Sequence, residues 1–117
     1  MKSLTFFNHI RFETPHAVDA TVCYCGTANE ARAYTECFRV DDVERKVFYA
    51  VSICSTNDHF IKSKGRIKAE GRTNSKEYGV TVDLPNDVDI TLRKDITEFL
   101  TEMGVRPRSI EAATIEV

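Results

Sequence analysis

The run KVFYAVSIC, residues 46–54, constrains the fold of this chain more than any other segment. Successive side chains of a strand point to opposite faces, and here both sets are largely apolar. One set is Val47, Tyr49, Val51 and Ile53, and the other is Phe48, Ala50, Ser52 and Cys54. A strand with two apolar faces is covered on both sides. The run YTECFRV (34–40) precedes it across the polar turn DDVER, so we predict a hairpin at the middle of the fold.

Shorter strands are predicted on either side of this hairpin. Residues 4–12 alternate in polarity, with an irregularity near Asn8, and residues 20–25 and 80–84 are short and rich in strand formers. The segment 105–117 has the composition of a short terminal strand, but its pattern does not place it in the sheet.

After Ser55 the spacing of apolar residues changes from the two-residue repeat of a strand to the three- or four-residue repeat of a helix. Ser55 and Asp58 form a weak capping pattern, and apolar positions then recur at helical spacing with Ile67 on the buried side, up to Gly71 as the terminating glycine. A second helix is predicted within 89–104, ending at Gly104. Its apolar stripe comprises Leu92, Ile96, Phe99, Leu100 and Met103.

These elements predict one α+β domain spanning residues 1–117. It would be an antiparallel β-sheet with two α-helices packed against it, on one side of the sheet. The formal charge of −2 over 117 residues makes nucleic acid an improbable partner for the molecule as a whole. Any anion-binding site must therefore be local.

No run of apolar residues is long enough for a membrane helix, which needs about 20. The first 16 residues lack the unbroken apolar core of a signal peptide. We therefore expect no membrane association and a location in the cytoplasm.

The four cysteines do not have the spacing of a metal site. Cys23 and Cys25 are separated by one residue, while Cys37 and Cys54 lie in apolar runs. Zinc ligands usually come in C-x2-C pairs or with paired histidines. Buried thiols are therefore favoured over a metal site, and we expect neither a metal nor a cofactor.

The segment DHFIKSKGRIKAEGR, residues 58–72, is unusually basic for a chain of this net charge. Glycine inside a helix costs about 1 kcal/mol relative to alanine, so Gly65 needs a reason. One interpretation is a shallow strip for a ligand, bracketed by Arg66 and Arg72. The other is close packing of the helix on the sheet, with the lysines forming a solvated face.

The ligand interpretation predicts a phosphate-binding site. Arg66 and Arg72 would hold phosphate oxygens and Lys64 would add charge, because guanidinium groups bind phosphate in a fork. Phe60 would stack on a base, although a phenylalanine here is more often part of a core. Arg93 and Lys94, near the start of the second helix, could complete the site from a neighbouring subunit.

Motifs of enzymes are missing from the sequence. It has no Ser-His-Asp arrangement, no P-loop glycines and no histidine pair of the phosphodiesterase kind. His59 is the one candidate proton carrier beside the basic segment, and we expect no catalysis.

Residues 51–72 resemble a pattern of small bacteriophage proteins. The pattern combines Cys-Ser (54–55), Asp-x-Phe (58–60) and Lys-Gly-Arg-x-x-Ala-x-Gly-Arg (64–72). In size and layout the chain resembles the phage anti-Thoeris proteins that sequester cyclic ADP-ribose signals. The resemblance implies a homo-oligomeric, non-catalytic anti-defence protein that binds a small phosphorylated nucleotide signal.

Two other classes of function fit the same sequence. A protein–protein inhibitor of a host enzyme or defence complex would use the acidic segment 83–89 or the C-terminal tail. A nucleic-acid-binding module would use the basic segment, and its affinity would fall steeply with salt.

Overall fold

A five-stranded antiparallel sheet organises the molecule. The computed structural model describes residues 3–17, 30–55, 62–75, 79–106 and 114–116. The elements in chain order are β1 (Ser3–Ala17), β2 (Glu30–Asp41), β3 (Lys46–Ser55), α1 (Lys62–Arg72), β4 (Val80–Asp83), α2 (Arg93–Glu102) and β5 (Thr114–Glu116). The strand order is β4-β3-β2-β1-β5, and each neighbouring pair is antiparallel. The predicted α+β class, with an antiparallel sheet and two packed helices, is confirmed.

The β2–β3 hairpin lies at the centre of the sheet, as the two-faced apolar pattern predicts. Phe38 pairs with Tyr49 on one face, and Cys37 pairs with Ala50 on the other. All four residues are buried. The turn between the strands is closed by the Asp41 carboxylate, which accepts the backbone N–H groups of Val43 and Glu44 at 3.0 and 3.2 Å.

The two helices lie on opposite faces of the sheet, so the expectation that both share one side is wrong. Ile96 and Leu100 of α2 belong to the core cluster with Phe6 and Phe38, which neighbour each other across β1 and β2. Gly65 of α1 lies against Thr35, whose side chain points the other way. We call these the α2 face and the α1 face.

Large side chains fill the α2 face and small ones fill the α1 face. On the α2 face the rings of Phe6 and Phe38 stack with centroids 4.6 Å apart, and Phe12 meets Tyr34 edge to face. On the α1 face most buried positions have short side chains, and the exception in β1 is His9, whose ring is hydrogen-bonded to Thr35 at 3.1 Å. The short ones are Ala33, Thr35, Cys37, Ala50, Ser52 and, from the helix, Ala69.

Several predicted element limits differ from the structure. β1 extends to Ala17, and its register is continuous through Asn8, with the shift lying between Arg11 and His16. α1 ends at Arg72, one residue beyond the predicted Gly71. Ile67 is 73% exposed, so its predicted burial is wrong. The predicted strand 20–25 and the start of the first helix at 55–61 lie largely outside the described residues.

The second helix is shorter than predicted at both ends. α2 buries Ile96 and Leu100, whereas Leu92 and Met103 at the ends of the predicted stripe are exposed. Gly104 follows with φ of 73°, a conformation that glycine adopts without strain. Gly104 therefore ends the helix as predicted. The tail contributes β5, which pairs with residues 9–11 of β1.

Candidate functional site

Gly65 allows α1 to approach the sheet closely. A Cβ at this position would overlap the Thr35 hydroxyl and lie 3.0 Å from the Thr35 Cβ. Ala69, one turn later, is fully buried on the same side of the helix. The packing interpretation of the glycine is therefore correct, and the predicted shallow strip for a ligand is occupied by the sheet.

Arg72 serves the same helix–sheet contact. Its Nη1 donates to the carbonyl oxygen of Val51 in β3 at 2.9 Å. Arg66 is exposed. The structure does not bring Arg66 and Arg72 together around Gly65, because Arg72 lies on the sheet side of the helix.

The remaining predicted ligand residues do not converge in one chain. Lys64 is exposed on α1, whereas Arg93 and Lys94 begin α2 on the other face of the sheet. The Arg93 guanidinium carbon lies 5.3 Å from the centre of the Phe6 ring, and Lys94 pairs with Glu98 at 3.9 Å. Phe60 lies outside the described residues. A contribution of Arg93 and Lys94 from a neighbouring subunit stays a prediction.

A cavity that the sequence did not reveal lies on the α1 face, beside the C-terminal end of α1. Its volume is about 350 Å³, which is at the lower end of the range for small-molecule sites. Polar side chains and backbone make up most of its lining. The lining residues are Arg39, Phe48, Thr73, Asn74, Ser75, Gly79 and Thr81. We call it the Arg39 cavity.

Arg39 supplies the positive charge of this cavity. Its guanidinium carbon lies 4.6 Å from the centre of the Phe48 ring, a distance typical of cation–π contact. Nη2 donates to Asn74 Oδ1 at 2.5 Å. Nε is buried and therefore out of reach of a ligand. The Nη groups carry further N–H donors besides the one bonded to Asn74, so this end of Arg39 is suited to bind an anion.

The turn after α1 gives the cavity a fixed wall. The Thr73 hydroxyl donates to the carbonyl of Glu70 at 2.6 Å, and the Ser75 N–H donates to the carbonyl of Arg72 at 3.0 Å. These bonds occupy carbonyls at the negative end of the helix, which would otherwise repel an anion. A Cβ on Gly79 would lie 2.6 Å from the Arg72 carbonyl oxygen, so only glycine fits there.

The α2 face holds a second polar cluster, which is closed. Arg106 donates from Nε and Nη2 to the two carboxylate oxygens of Glu36 at 2.7 and 2.6 Å. The Tyr49 hydroxyl donates to the same carboxylate at 2.6 Å. Burial and the Glu36 charge raise the pKa of Tyr49 well above its usual value. Burial opposes the charge of Arg106, but the hydrogen bonds to Glu36 raise its pKa.

The hydrogen-bonding groups of this cluster satisfy one another, so the cluster ties the chain after α2 to the sheet.

Cys37, on the α1 face, is a buried thiol whose pKa is raised to about 12, mainly by burial and also by the negative charge of Glu70. Such a thiol is protonated at neutral pH and unreactive. Within the described ranges, no three histidine, cysteine, aspartate or glutamate side chains are grouped as metal ligands. No described helix is long and apolar enough to cross a membrane.

Comparison with known proteins finds no matching family model, no matching curated protein and no matching solved structure. The function must therefore be argued from the geometry.

Proposed function

We propose that the protein binds a small phosphorylated nucleotide in the Arg39 cavity and retains it without turnover. The observation that carries the proposal is the Arg39 guanidinium, which lines a polar cavity of about 350 Å³. It makes one hydrogen bond to the described residues, from Nη2 to Asn74, so an oxyanion can accept from its remaining Nη N–H groups. A cavity of this size suits a ligand no larger than a few linked rings.

The other lining groups suit the rest of a nucleotide. Asn74 and Thr81 are exposed at the cavity, and their amide and hydroxyl groups can donate to or accept from ribose and phosphate oxygens. Lys64, Arg66 and Lys68 are exposed on the adjacent helix. Their positive field would attract an anion toward this side of the molecule.

The biological role rests on the resemblance of residues 51–72. That resemblance supports a cyclic ADP-ribose or a cyclic oligonucleotide as ligand, and sequestration of an immune signal in an infected host as the purpose. Retention without turnover is part of the proposal. It requires that bound ligand be released chemically unchanged.

A thermal-shift and calorimetric titration tests the proposal. The ligands are cyclic ADP-ribose isomers, cyclic di- and trinucleotides, and a short DNA duplex. A ligand at about 100 times its dissociation constant stabilises the fold by about 2.7 kcal/mol, a shift of several degrees for a domain of this size. We expect one cyclic nucleotide to give that shift and to be recovered intact by chromatography.

The Arg39→Ala variant locates the site. Hydrogen bonds to a charged group contribute about 1.5–3 kcal/mol, so affinity should fall roughly 10- to 150-fold. Arg11→Ala, an exposed arginine of β1 outside the cavity, is the matched control and should bind like the wild type. Loss of binding in Arg66→Ala but not in Arg39→Ala would move the site to α1. No shift with any nucleotide would refute the proposal.

A further inference from the structure

The described charges are segregated between two parts of the molecule. α1 carries five basic residues and one acidic residue, in a chain whose formal charge is −2. Lys64, Arg66 and Lys68 are exposed on it. Ile67 lies between the last two and is 73% exposed, the most exposed large apolar side chain in the described part of the chain. We call Lys64, Arg66, Ile67 and Lys68 the basic helix face.

The opposite charge is concentrated where β2 turns into β3. Asp42 and Glu44 are exposed there on either side of Val43. Val43 is 69% exposed and ranks second among the described large apolar side chains. We call these three residues the acidic turn. The end of β4 and the loop after it add more exposed carboxylates, from Asp83, Asp87 and Asp89.

The acidic turn is held in a fixed shape. The Asp41 carboxylate closes it from within, as described above. Arg45, with φ of 52°, donates from Nη2 to the carbonyls of Pro85 and Val88 at 2.6 and 2.8 Å. The turn and the acidic loop after β4 are thereby joined into one surface. A preorganised surface loses little conformational freedom on binding.

The two surfaces are opposite in sign, and Glu44 lies 4.0 Å from Lys46 of its own chain. On α1, Arg66 and Lys68 lie about 100° to either side of Ile67 around the helix axis. On the turn, Asp42 and Glu44 precede and follow Val43. The high exposure of Ile67 and of Val43 shows that neither covers the other within one chain. Complementary charge around an apolar contact favours association and sets its register.

We propose that the basic helix face of one copy docks on the acidic turn of a second copy. Ile67 would pack against Val43, with Arg66 and Lys68 paired to Asp42 and Glu44. The acidic turn and loop of the same chain would repel a nucleic acid, so a duplex is the weaker occupant. The contact joins two different surfaces, so it can form twice about a two-fold axis in a dimer or repeat head to tail in a ring or an open chain.

Sedimentation velocity of the full chain tests this inference independently of any nucleotide. We expect association that grows with concentration up to about 100 µM. It should be lost at about 1 M salt, where the Debye length falls to about 3 Å. Both Arg66→Glu/Lys68→Glu and Asp42→Lys/Glu44→Lys should be monomeric, with circular dichroism confirming the fold. Glu102→Lys, an exposed charge reversal on α2, should associate like the wild type.

The decisive test is an equimolar mixture of the two charge-reversed variants. In that mixture each altered helix meets an altered turn of opposite charge, so association should return. A wild-type protein that stays monomeric overturns the inference, as does unchanged association of the reversed variants or a mixture that stays monomeric. A monomer that binds a short DNA duplex through Arg66 and Lys68 would assign the basic helix face to nucleic acid instead.

Discussion

Removing Arg106 should destabilise the fold strongly, because it leaves a buried carboxylate without its charged partner. Glu36 is fully buried at the middle of the sheet, and Arg106 supplies two of its hydrogen bonds. An Arg106→Met change keeps much of the side-chain volume but leaves the carboxylate with Tyr49 and a long contact of 3.5 Å from Asn8. Breaking a buried ion pair from one side typically costs about 3–5 kcal/mol.

The reverse change should cost less because the two partners differ in exposure. The Arg106 side chain is 10% exposed, whereas that of Glu36 is 0% exposed. After Glu36→Gln, the guanidinium can still reach water and the amide oxygen can still accept one hydrogen bond. We expect a loss of about 2 kcal/mol, near the value for an unsatisfied buried group.

Removing the whole cluster should recover most of the lost stability. Glu36→Leu with Arg106→Met would leave the Tyr49 hydroxyl without an acceptor, at a cost of about 1–3 kcal/mol. Adding Tyr49→Phe removes that donor as well. Replacement of a buried ion pair by apolar groups of similar volume is often neutral or stabilising, by up to about 4 kcal/mol. The triple variant should therefore be more stable than Arg106→Met alone.

Urea unfolding followed by circular dichroism measures these differences, since the chain has no tryptophan for fluorescence. A domain of this size has a free energy of unfolding of about 5–15 kcal/mol. A loss of about 4 kcal/mol can therefore be measured at low temperature. A cost below about 1 kcal/mol for Arg106→Met would show that the buried ion pair does not hold the fold. A larger cost for Glu36→Gln than for Arg106→Met would show that the difference in exposure does not decide the outcome.

Two further predictions concern α1 and the loop after β4. Gly65→Ala should cost about 1–3 kcal/mol by overpacking against Thr35. It should cost less in a Thr35→Ala background, which itself loses the buried hydrogen bond between Thr35 and His9. Gly71→Ala, with open space at its Cβ, should stabilise by about 0.5–1 kcal/mol in thermal unfolding. Equal effects at both glycines would contradict the close contact. Asp89 accepts the hydroxyl and N–H of Thr91 at 2.6 and 2.9 Å, and these bonds lower its pKa below 3.8. The unfolded chain therefore binds the proton more readily, so the contribution of Asp89 to stability is complete above about pH 4 and is lost as pH falls through the folded pKa. The stability difference between wild type and Asp89→Asn should be constant at higher pH and shrink as pH falls below about 4. A difference independent of pH would show that these bonds do not hold the loop.

The sequence predicted the elements whose pattern depends on burial alone. The apolar alternation of 46–54 identified the central hairpin, and Ile96 and Leu100 identified the buried side of α2. It mispredicted Ile67, because an apolar residue at helical spacing indicates burial only when the helix packs through large side chains. α1 packs through Gly65 and Ala69, which carry no hydrophobic signal.

The Arg39 cavity could not be predicted for a related reason. Its lining comes from β2, β3, β4 and the turn after α1, and it forms through strand register. Arg39 lies opposite Phe48 only because the β2–β3 hairpin pairs them. The predicted site residues Arg66 and Arg72 come from the basic segment. The arginine that supports the ligand proposal, Arg39, lies in strand β2. The placement of the helices on opposite faces likewise follows from connections that no local pattern encodes.

The small-residue contact between α1 and the sheet separates two kinds of sequence change. Positions on the sheet side, such as Gly65 and Ala69, cannot grow without a clash or a shift of the helix. Positions on the outer side, such as Lys64 and Ile67, contribute little to the core and are free to vary. Mutations can therefore alter what the outer surface of this helix recognises, in charge or in shape, with little effect on folding.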